Sequence, residues 1–396
     1  MSKVDVLNTF SASTFIKEYW QKKPVLLKSF LQNFDDPISA EELAGLACED
    51  FSESRLVTEF QKSKWMLKHG PFVESDFTSL PEENWTLLVQ AVDQFVYEVA
   101  ELKKHFNFIP AWRIDDVMIS FAAKNGGVGP HFDQYDVFLM QGSGNRRWQL
   151  SAECSSSDEL QKNSELGILQ DFTATDELLL TPGDVLYIPP RFGHWGTAES
   201  AGLCYSIGFR AASHGEMLEG FSEFLANGMD PGKRFQDDVS LEFASGAEID
   251  PRQLDEPYAR LQELFADREK FNRWFGCQAS QAKYPELVFE PEKPFDQASL
   301  KTMADNQQLL SKNTCSRFAY AYLDGSSEKK SSAPALFVDG NMAVLPDSCR
   351  EHILMICQQA VFGSDDLTAM LKNEHTAELL CQLLNQGSLQ SEESVQ

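Results

Sequence analysis

Apolar residues change their spacing along this chain, and each change marks a boundary. Near the start, Phe15, Tyr19 and Trp20 recur at helical spacing in S-T-F-I-K-E-Y-W, so this stretch reads as a helix. Pro24 stops it, and V-L-L-K reads as a strand. A second helix, E-E-L-A-G-L-A, follows Asp36 and Pro37, with Ser39 as its N-cap and Glu42 three residues on, the pattern of a capping box. From Trp112 the period shortens to that of strands: R-I-D-D-V-M-I-S-F, Y-D-V-F-L-M, R-R-W-Q-L, E-L-L-L, D-V-L-Y-I-P and L-C-Y-S-I-G-F, separated by Gly, Pro and Asn clusters. Many short strands at this spacing predict a sandwich or barrel over residues 1–210.

Helical spacing returns over 211–284, in M-L-E-G-F-S-E-F-L and Y-A-R-L-Q-E-L-F. A helical insert of this kind is often a dimer interface, and a lid or spacer fits the same pattern. The linker P-E-L-V-F-E-P-E-K-P-F leads into a third region, 285–386. There a helix, the strand R-F-A-Y-A-Y, the hairpin A-L-F-V-D-G-N-M-A-V-L-P and further short helices predict a small α+β unit like a winged helix. The polar tail 387–396 reads as disordered. There is no internal repeat.

At 396 residues, 42% hydrophobic and 24% charged, the chain has ordinary globular composition, with 29 Phe and 7 Trp to fill cores. The net charge of −26 repels nucleic-acid phosphates and anionic membranes, and favours basic partners if the substrate is a macromolecule. The winged-helix stretch shares this sign: residues 297–396 hold seven Lys/Arg against twelve Asp/Glu, the wrong balance for reading DNA. The eight cysteines are scattered without a C-x-x-C pair, which fits free thiols in a reducing compartment. With neither a signal-peptide pattern nor a long uncharged apolar run, a cytoplasmic protein with no membrane partner is expected.

The segment V-G-P-H-F-D-Q-Y-D-V-F carries the central chemistry. On a strand, residues two apart share a face, so His131 and Asp133 can reach one ion, with Tyr135 beside them. About sixty residues on, L-T-P-G-D-V-L-Y-I-P-P-R-F-G-H-W-G reads as a turn, a buried strand, a second turn and His194. That is where a double-stranded β-helix returns its third ligand. Two histidines and one carboxylate leave three positions of an octahedron open, the arrangement of non-haem Fe(II) oxygenases. The other histidines, His69, His105, His214, His352 and His375, lack ligand spacing.

The H-F-D, Y-I-P-P and W-Q-K-K-P-V-L-L-K elements resemble those of the JmjC, cupin-like oxygenases. Four longer runs are similar to those of the bacterial ribosomal-protein arginine hydroxylases: D-P-I-S-A-E-E-L-A-G-L-A, W-R-I-D-D-V-M-I-S-F, G-G-V-G-P-H-F-D-Q-Y-D-V-F and Y-S-I-G-F-R. The strong similarity spans about residues 15–210. Arg191 departs from it, since that subgroup usually has Gly after Pro-Pro. The resemblance implies a double-stranded β-helix, with Fe(II), the cosubstrate 2-oxoglutarate and O₂ as its reagents. It also implies β-carbon hydroxylation of an arginine in the sixteenth protein of the large ribosomal subunit.

2-Oxoglutarate needs a fixed cation for its distal carboxylate, a task that suits Arg. Arg146 and Arg147 point to opposite faces of their strand, and the family's basic residue, thirteen positions after the metal-binding Asp, falls on Arg146. In R-I-D-D-V-M-I-S-F, Val117, Ile119 and Phe121 share the packing face, and Asp116, Met118 and Ser120 share the face toward the cavity. Ser120 is the candidate second contact for the cosubstrate, and a backbone-bonded structural Ser is its alternative. Asp116, Tyr135 and Ser206 remain as polar residues on inward-reading faces and suit an arginine side chain. Asp116 could instead pair with Arg113, and Tyr135 could support the ligands. Two competing readings stay open: a metal cupin that does not use 2-oxoglutarate, and a non-enzymatic binding or regulatory module.

Overall fold

The computed structural model describes residues 4–61, 64–155, 159–161, 165–236, 247, 249–323 and 333–391. The chain divides into two compact units, Met1–Ala211 and Ala212–Gln396.

The described residues of unit one carry twelve strands: β1 Asp5–Leu7, β2 Val25–Leu27, β3 Ser54–Gln61, β4 Lys64–His69, β5 Trp85–Val89, β6 Ile114–Ala122, β7 Val137–Gln141, β8 Arg146–Glu153, β9 Asp176–Leu180, β10 Val185–Ile188, β11 Phe192–Ala198 and β12 Gly202–Phe209. They form a nine-stranded sheet in the order β1-β2-β10-β7-β12-β6-β5-β3-β4 and a three-stranded sheet in the order β11-β8-β9. Only β1 and β2 pair in parallel; the other described pairs of this unit are antiparallel. The expected jelly roll is therefore present. The sequence pattern did not anticipate its extension by β3, β4 and β5, because β4 is an edge strand with alternating partial exposure and offers little apolar signal.

The central strands are buried on both faces, which is why they read as continuous apolar runs. Along β7, Phe138 and Met140 join the large aromatic cluster with Phe15, Phe106 and Tyr187, while Val137 and Leu139 join the cluster of Trp148, Leu150, Leu180 and Leu186 on the opposite face. The first cluster lies under the short helices α1 Ala12–Glu18, α2 Ala40–Leu46, α3 Glu74–Thr78 and α4 Tyr97–Glu101. Ser39 caps α2 through the expected capping box with Glu42.

The T-P-G-D turn before β10 is built around a buried carboxylate. Asp184 accepts from Lys28 Nζ at 2.5 Å and from the amides of Ser29 and Thr181, each at 2.8 Å. Gly183 beside it takes φ of +84°, and a Cβ there would lie 2.1 Å from the Leu31 carbonyl oxygen. Only glycine satisfies both conditions.

Unit two begins with α5 His214–Asn227, α6 Pro251–Ala266 and α7 Arg268–Ser280. Phe221 and Leu225 of α5 pack on Trp274 of α7, whereas no residue of α6 is buried. The rest comprises α8 Gln297–Asp305, β13 Leu310–Lys312, β14 Phe318–Ala321, β15 Ala335–Val338, β16 Asn341–Ala343, α9 Arg350–Gln358, β17 Val361–Phe362, α10 Ser364–Leu371, α11 Glu374–Asn385 and β18 Leu389–Ser391. The β15–β16 hairpin turns on Asp339 and Gly340, both with positive φ (+48° and +82°), as a tight two-residue turn requires.

One expectation fails. The tail predicted to be disordered from 387 contributes β18, which pairs with β13, and Leu389 is 1% exposed in the core of this unit. Its polar composition hid one buried leucine within a three-residue strand; residues 392–396 lie outside the described residues. Leu389→Ala should therefore cost about 2–4 kcal/mol of stability, measured by chemical denaturation. A tail that does not matter would give no change.

Candidate active site

The segment with His131 and Asp133 is not the regular strand that its spacing predicts. His131 forms an isolated antiparallel bridge to His194, with His131 N to His194 O at 3.0 Å and His194 N to His131 O at 2.8 Å. The chain then leaves the sheet, and Asp133 is held by its carbonyl, which accepts from Arg191 N at 2.7 Å. Backbone pairing across two segments, rather than alternation along one strand, brings the three side chains together. Their candidate ligand atoms lie within 4.8 Å of one another, with His194 Nε2 3.6 Å from Asp133 Oδ2 and the two imidazole centroids 4.3 Å apart. Among the described residues no other group of three such side chains does this.

Both imidazoles are set to present the same nitrogen. His131 Nδ1 lies 3.0 Å from the Gly129 carbonyl and His194 Nδ1 lies 3.0 Å from the Phe192 carbonyl. A carbonyl only accepts, so each Nδ1 carries the proton and each Nε2 keeps its lone pair for a metal. Burial, and then the nearby His131, push the His194 pKa down to about 4, so His194 is neutral at ordinary pH. Two neutral imidazoles and a carboxylate could hold one divalent ion and leave open positions for further ligands.

Arg191 explains its own oddity. It adopts φ of +69°, the left-handed region where glycine is the usual residue, while its amide and carbonyl bond Asp133 O and Cys154 N. The turn before His194 keeps its geometry at the cost of a strained non-glycine residue. Its guanidinium is tied to Glu153. Behind the triad, Asp136 is fully buried and accepts from Tyr187 Oη at 2.6 Å and Gln21 Nε2 at 3.0 Å. Burial pushes its carboxyl pKa up.

On β8, Arg146, Trp148 and Leu150 are buried and Arg147 is exposed. Arg147 pairs on the surface with Glu199 at 2.5 Å and Glu177 at 3.5 Å. Arg146 is 7% exposed and donates from Nη1 to Ser120 Oγ at 3.0 Å. Its Nε and Nη2 are buried with no acceptor among the described residues. A guanidinium with two such donors matches an incoming carboxylate, the distal group of a dicarboxylic acid. Ser120 also donates to the Cys204 carbonyl at 3.4 Å, the backbone contact of its structural reading.

On the inner face, Asp116 is 3% exposed and accepts from Gln90 Nε2 at 2.7 Å. Arg113, the alternative partner for Asp116, donates to the Arg210 carbonyl at 3.1 Å and lies 3.8 Å from Asp136. Tyr135 lies outside the strands and is 43% exposed; burial of its hydroxyl, and then the Asp133 and Asp116 carboxylates, raise its pKa. Ser206, 9% exposed, sits on β12 opposite Met118. Gly208, two residues on, was not singled out from the sequence. A Cβ there would stand 3.7 Å from Asp116 Oδ1 and 3.9 Å from Tyr135 Cε2, so Gly208 keeps the space between them open. Gln90 and Trp148 were missed too, since a strand-end glutamine and a core tryptophan carry no signal until register is known.

Residues 101–217 match the JmjC domain family, and residues 263–390 match the ROXA-like winged helix. The chain is 42% identical over 293 residues to ribosomal protein uL16 3-hydroxylase of Escherichia coli (strain K12), covering 72% of this chain and 76% of that protein. It is 35% identical to a probable ribosomal oxygenase of Haemophilus influenzae, over 68% of this chain and 66% of that one. The X-ray structure of E. coli YcfD superposes with a TM-score of 0.86 at 33% identity, covering 98% of this chain and 99% of that one. The same protein in complex with cobalt and 2-oxoglutarate superposes with a TM-score of 0.84 at 33% identity, covering 97% and 99%.

Two binding measurements follow from this geometry. His131→Ala, Asp133→Ala and His194→Ala should each abolish tight Mn(II) binding by calorimetry, since an open site spares no ligand. Arg146→Ala should weaken 2-oxoglutarate binding by about 2–5 kcal/mol, and Arg147→Ala should scarcely change it. Equal effects at the two arginines would overturn this facing.

Proposed function

The chain belongs to the JmjC-domain ribosomal oxygenases, and on that premise we propose that it hydroxylates the β-carbon of an arginine in ribosomal protein uL16. It is a 2-oxoglutarate-dependent dioxygenase that uses Fe(II) and O₂. The two buried, acceptor-free donors of Arg146, beside a triad with both Nε2 lone pairs free, carry this reading and count against a cupin that lacks 2-oxoglutarate. His131, Asp133 and His194 would hold the iron, and Arg146 with Ser120 would hold the distal carboxylate of the cosubstrate. Bound together, iron, 2-oxoglutarate and O₂ insert one oxygen atom into an unactivated C–H bond and release succinate and CO₂.

The chain's own residues choose and place that bond. Asp116 would pair with the substrate guanidinium, the Tyr135 ring would lie along its plane, and Ser206 would complete the inward polar wall. Gly208 leaves room for an extended side chain. The net charge of −26 favours approach of a basic ribosomal protein. The acidic balance of the winged-helix stretch argues for protein contacts there and against direct DNA binding. No described helix is long and apolar enough to cross a membrane, in keeping with a cytoplasmic site of action beside ribosomes.

The homodimer reading rests on α6. Leu254, Tyr258, Leu261 and Phe265 recur along one stripe and are 52%, 64%, 56% and 41% exposed. A stripe of four large apolar side chains left to solvent matches a self-complementary interface. Tyr258→Glu with Leu261→Glu should give a monomer in sedimentation velocity, where the parent gives a dimer; a parent that sediments as a monomer removes this reading.

Incubation with Fe(II), 2-oxoglutarate and purified uL16 should add one oxygen to a single arginine, read by mass spectrometry. Asp116→Asn should lower peptide hydroxylation by about 1.5–3 kcal/mol in kcat/KM, while 2-oxoglutarate affinity holds. If Asp116→Asn destroys both, the residue is structural.

A further inference from the structure

The buried face of β8 carries Arg146, Trp148 and Leu150 in turn, and across the small sheet they stand opposite Ala198, Gly196 and His194 of β11. Trp148 therefore sits between Arg146 and the metal triad, with its ring centroid 5.8 Å from that of His194. Two features single this indole out. Gly196 makes room for the ring: a Cβ there would lie 2.7 Å from Trp148 Cη2 and 2.8 Å from Cζ3. The residue is 5% exposed, and its Nε1 is buried with no acceptor among the described residues.

An indole N–H donates and cannot accept, so in a dry interior it is costly until an acceptor arrives. Trp148 packs with Leu150, Leu180 and Leu186, whose side chains hold none. On β8 and β11, the buried side-chain donors left without an acceptor among the described residues are Nε and Nη2 of Arg146 and Nε1 of Trp148. 2-Oxoglutarate brings two carboxylates to meet them. Its distal carboxylate matches the two donors of Arg146. Its other end is a 2-oxo acid, which chelates a divalent ion through the oxo group and one carboxylate oxygen. The second oxygen of that carboxylate still needs a donor once water is excluded. Neither histidine can supply one, because each Nδ1 is spent on a carbonyl.

We propose that Trp148 is a further cosubstrate-binding residue, its indole N–H donating to the outer oxygen of the carboxylate that chelates the metal. The proposal rests on the reading of Arg146 as the partner of the distal carboxylate. Two residues on one strand face, two positions apart, then hold the two ends of one ligand. A neutral donor suits this place. The metal already offsets the charge of the chelating carboxylate, a lysine here would add a second buried cation beside Arg146, and a phenylalanine would leave the oxygen unsatisfied.

The test uses the full-length protein loaded with diamagnetic Zn(II), in proton–nitrogen correlation spectra of its 7 Trp indoles. Trp148→Phe identifies one peak by its loss. In the parent, that proton should move to lower field when 2-oxoglutarate is added, as a new bond to a carboxylate requires. It should move the same way with 2-oxobutanoate, which keeps the chelating end and lacks the distal carboxylate. A tryptophan that only packs gives no such shift. By calorimetry with Mn(II) present, Trp148→Phe should weaken 2-oxoglutarate binding about tenfold. Mn(II) affinity itself should stay within about twofold of the parent, which reports an intact triad. For 2-oxobutanoate, followed by relaxation of Mn(II)-bound water, Trp148→Phe should weaken binding and Arg146→Ala should leave it within about twofold. If Trp148→Phe does not fold, the benzothiophene analogue of tryptophan at that position, with S in place of N–H, replaces it in every arm. A stationary indole peak or an unchanged 2-oxoglutarate affinity overturns the proposal. A peak that moves with 2-oxoglutarate but not with 2-oxobutanoate puts the donor at the distal end and overturns it too. Arg146→Ala separates the two levels. Unchanged 2-oxoglutarate affinity there removes the reading on which the proposal stands, and weakened binding there with none at Trp148→Phe removes the indole donor alone.

Discussion

The reciprocal backbone bridge between His131 and His194 is the contact on which the site depends. Without it the two imidazoles belong to segments about sixty residues apart, one leaving the large sheet and the other on the small one. With it they face each other across a pair of 3.0 and 2.8 Å hydrogen bonds, and Asp133 is drawn in by a third bond from Arg191. Each histidine then fixes its own tautomer against a carbonyl two residues earlier. Side-chain placement here follows from main-chain hydrogen bonds, which are short and directional, and so needs little help from packing. Arg191 in the left-handed region is the local strain that this arrangement accepts.

Around that bridge the fold separates charges by burying them in different ways. Asp184 and Asp93 are buried carboxylates satisfied by lysines and backbone amides, and they hold turns and strand starts in place. Arg146 is a buried cation left with donors to spare. A group satisfied within the protein stabilises structure, whereas one that retains unused donors in a dry interior is costly until a ligand arrives. The contrast between Arg146 and its neighbour Arg147 makes the point within one strand. Arg147 has the same chemistry but is exposed and pairs with two surface carboxylates, where solvent screening makes such pairs weak.

At the mouth of the site, the Gln90 amide donates to Asp116 and accepts from Arg55. Gly208 and Tyr135 shape the space beside it. The net charge of −26 acts at longer range, where it favours the approach of basic groups over acidic ones.

The sequence by itself determined the barrel, the triad, the inward facing of Arg146 over Arg147, and the alternation that sends Asp116 and Ser120 one way and Val117 and Ile119 the other. The barrel and the alternation follow from period-two spacing and turn chemistry, which are local properties of the chain, whereas the choice of Arg146 over Arg147 came from the family resemblance and the triad from motif context. Only the tertiary structure decided that His131 and Asp133 meet through a cross-segment bridge rather than along a strand. It alone paired β18 with β13, making an ordered strand of a polar tail. It also placed Gln90 and Arg55 behind Asp116, since the pairing of β3 with β5 and of β5 with β6 sets which residues meet across the sheet. Register is a non-local quantity, fixed by contacts among residues far apart in the chain, and no window of sequence contains it.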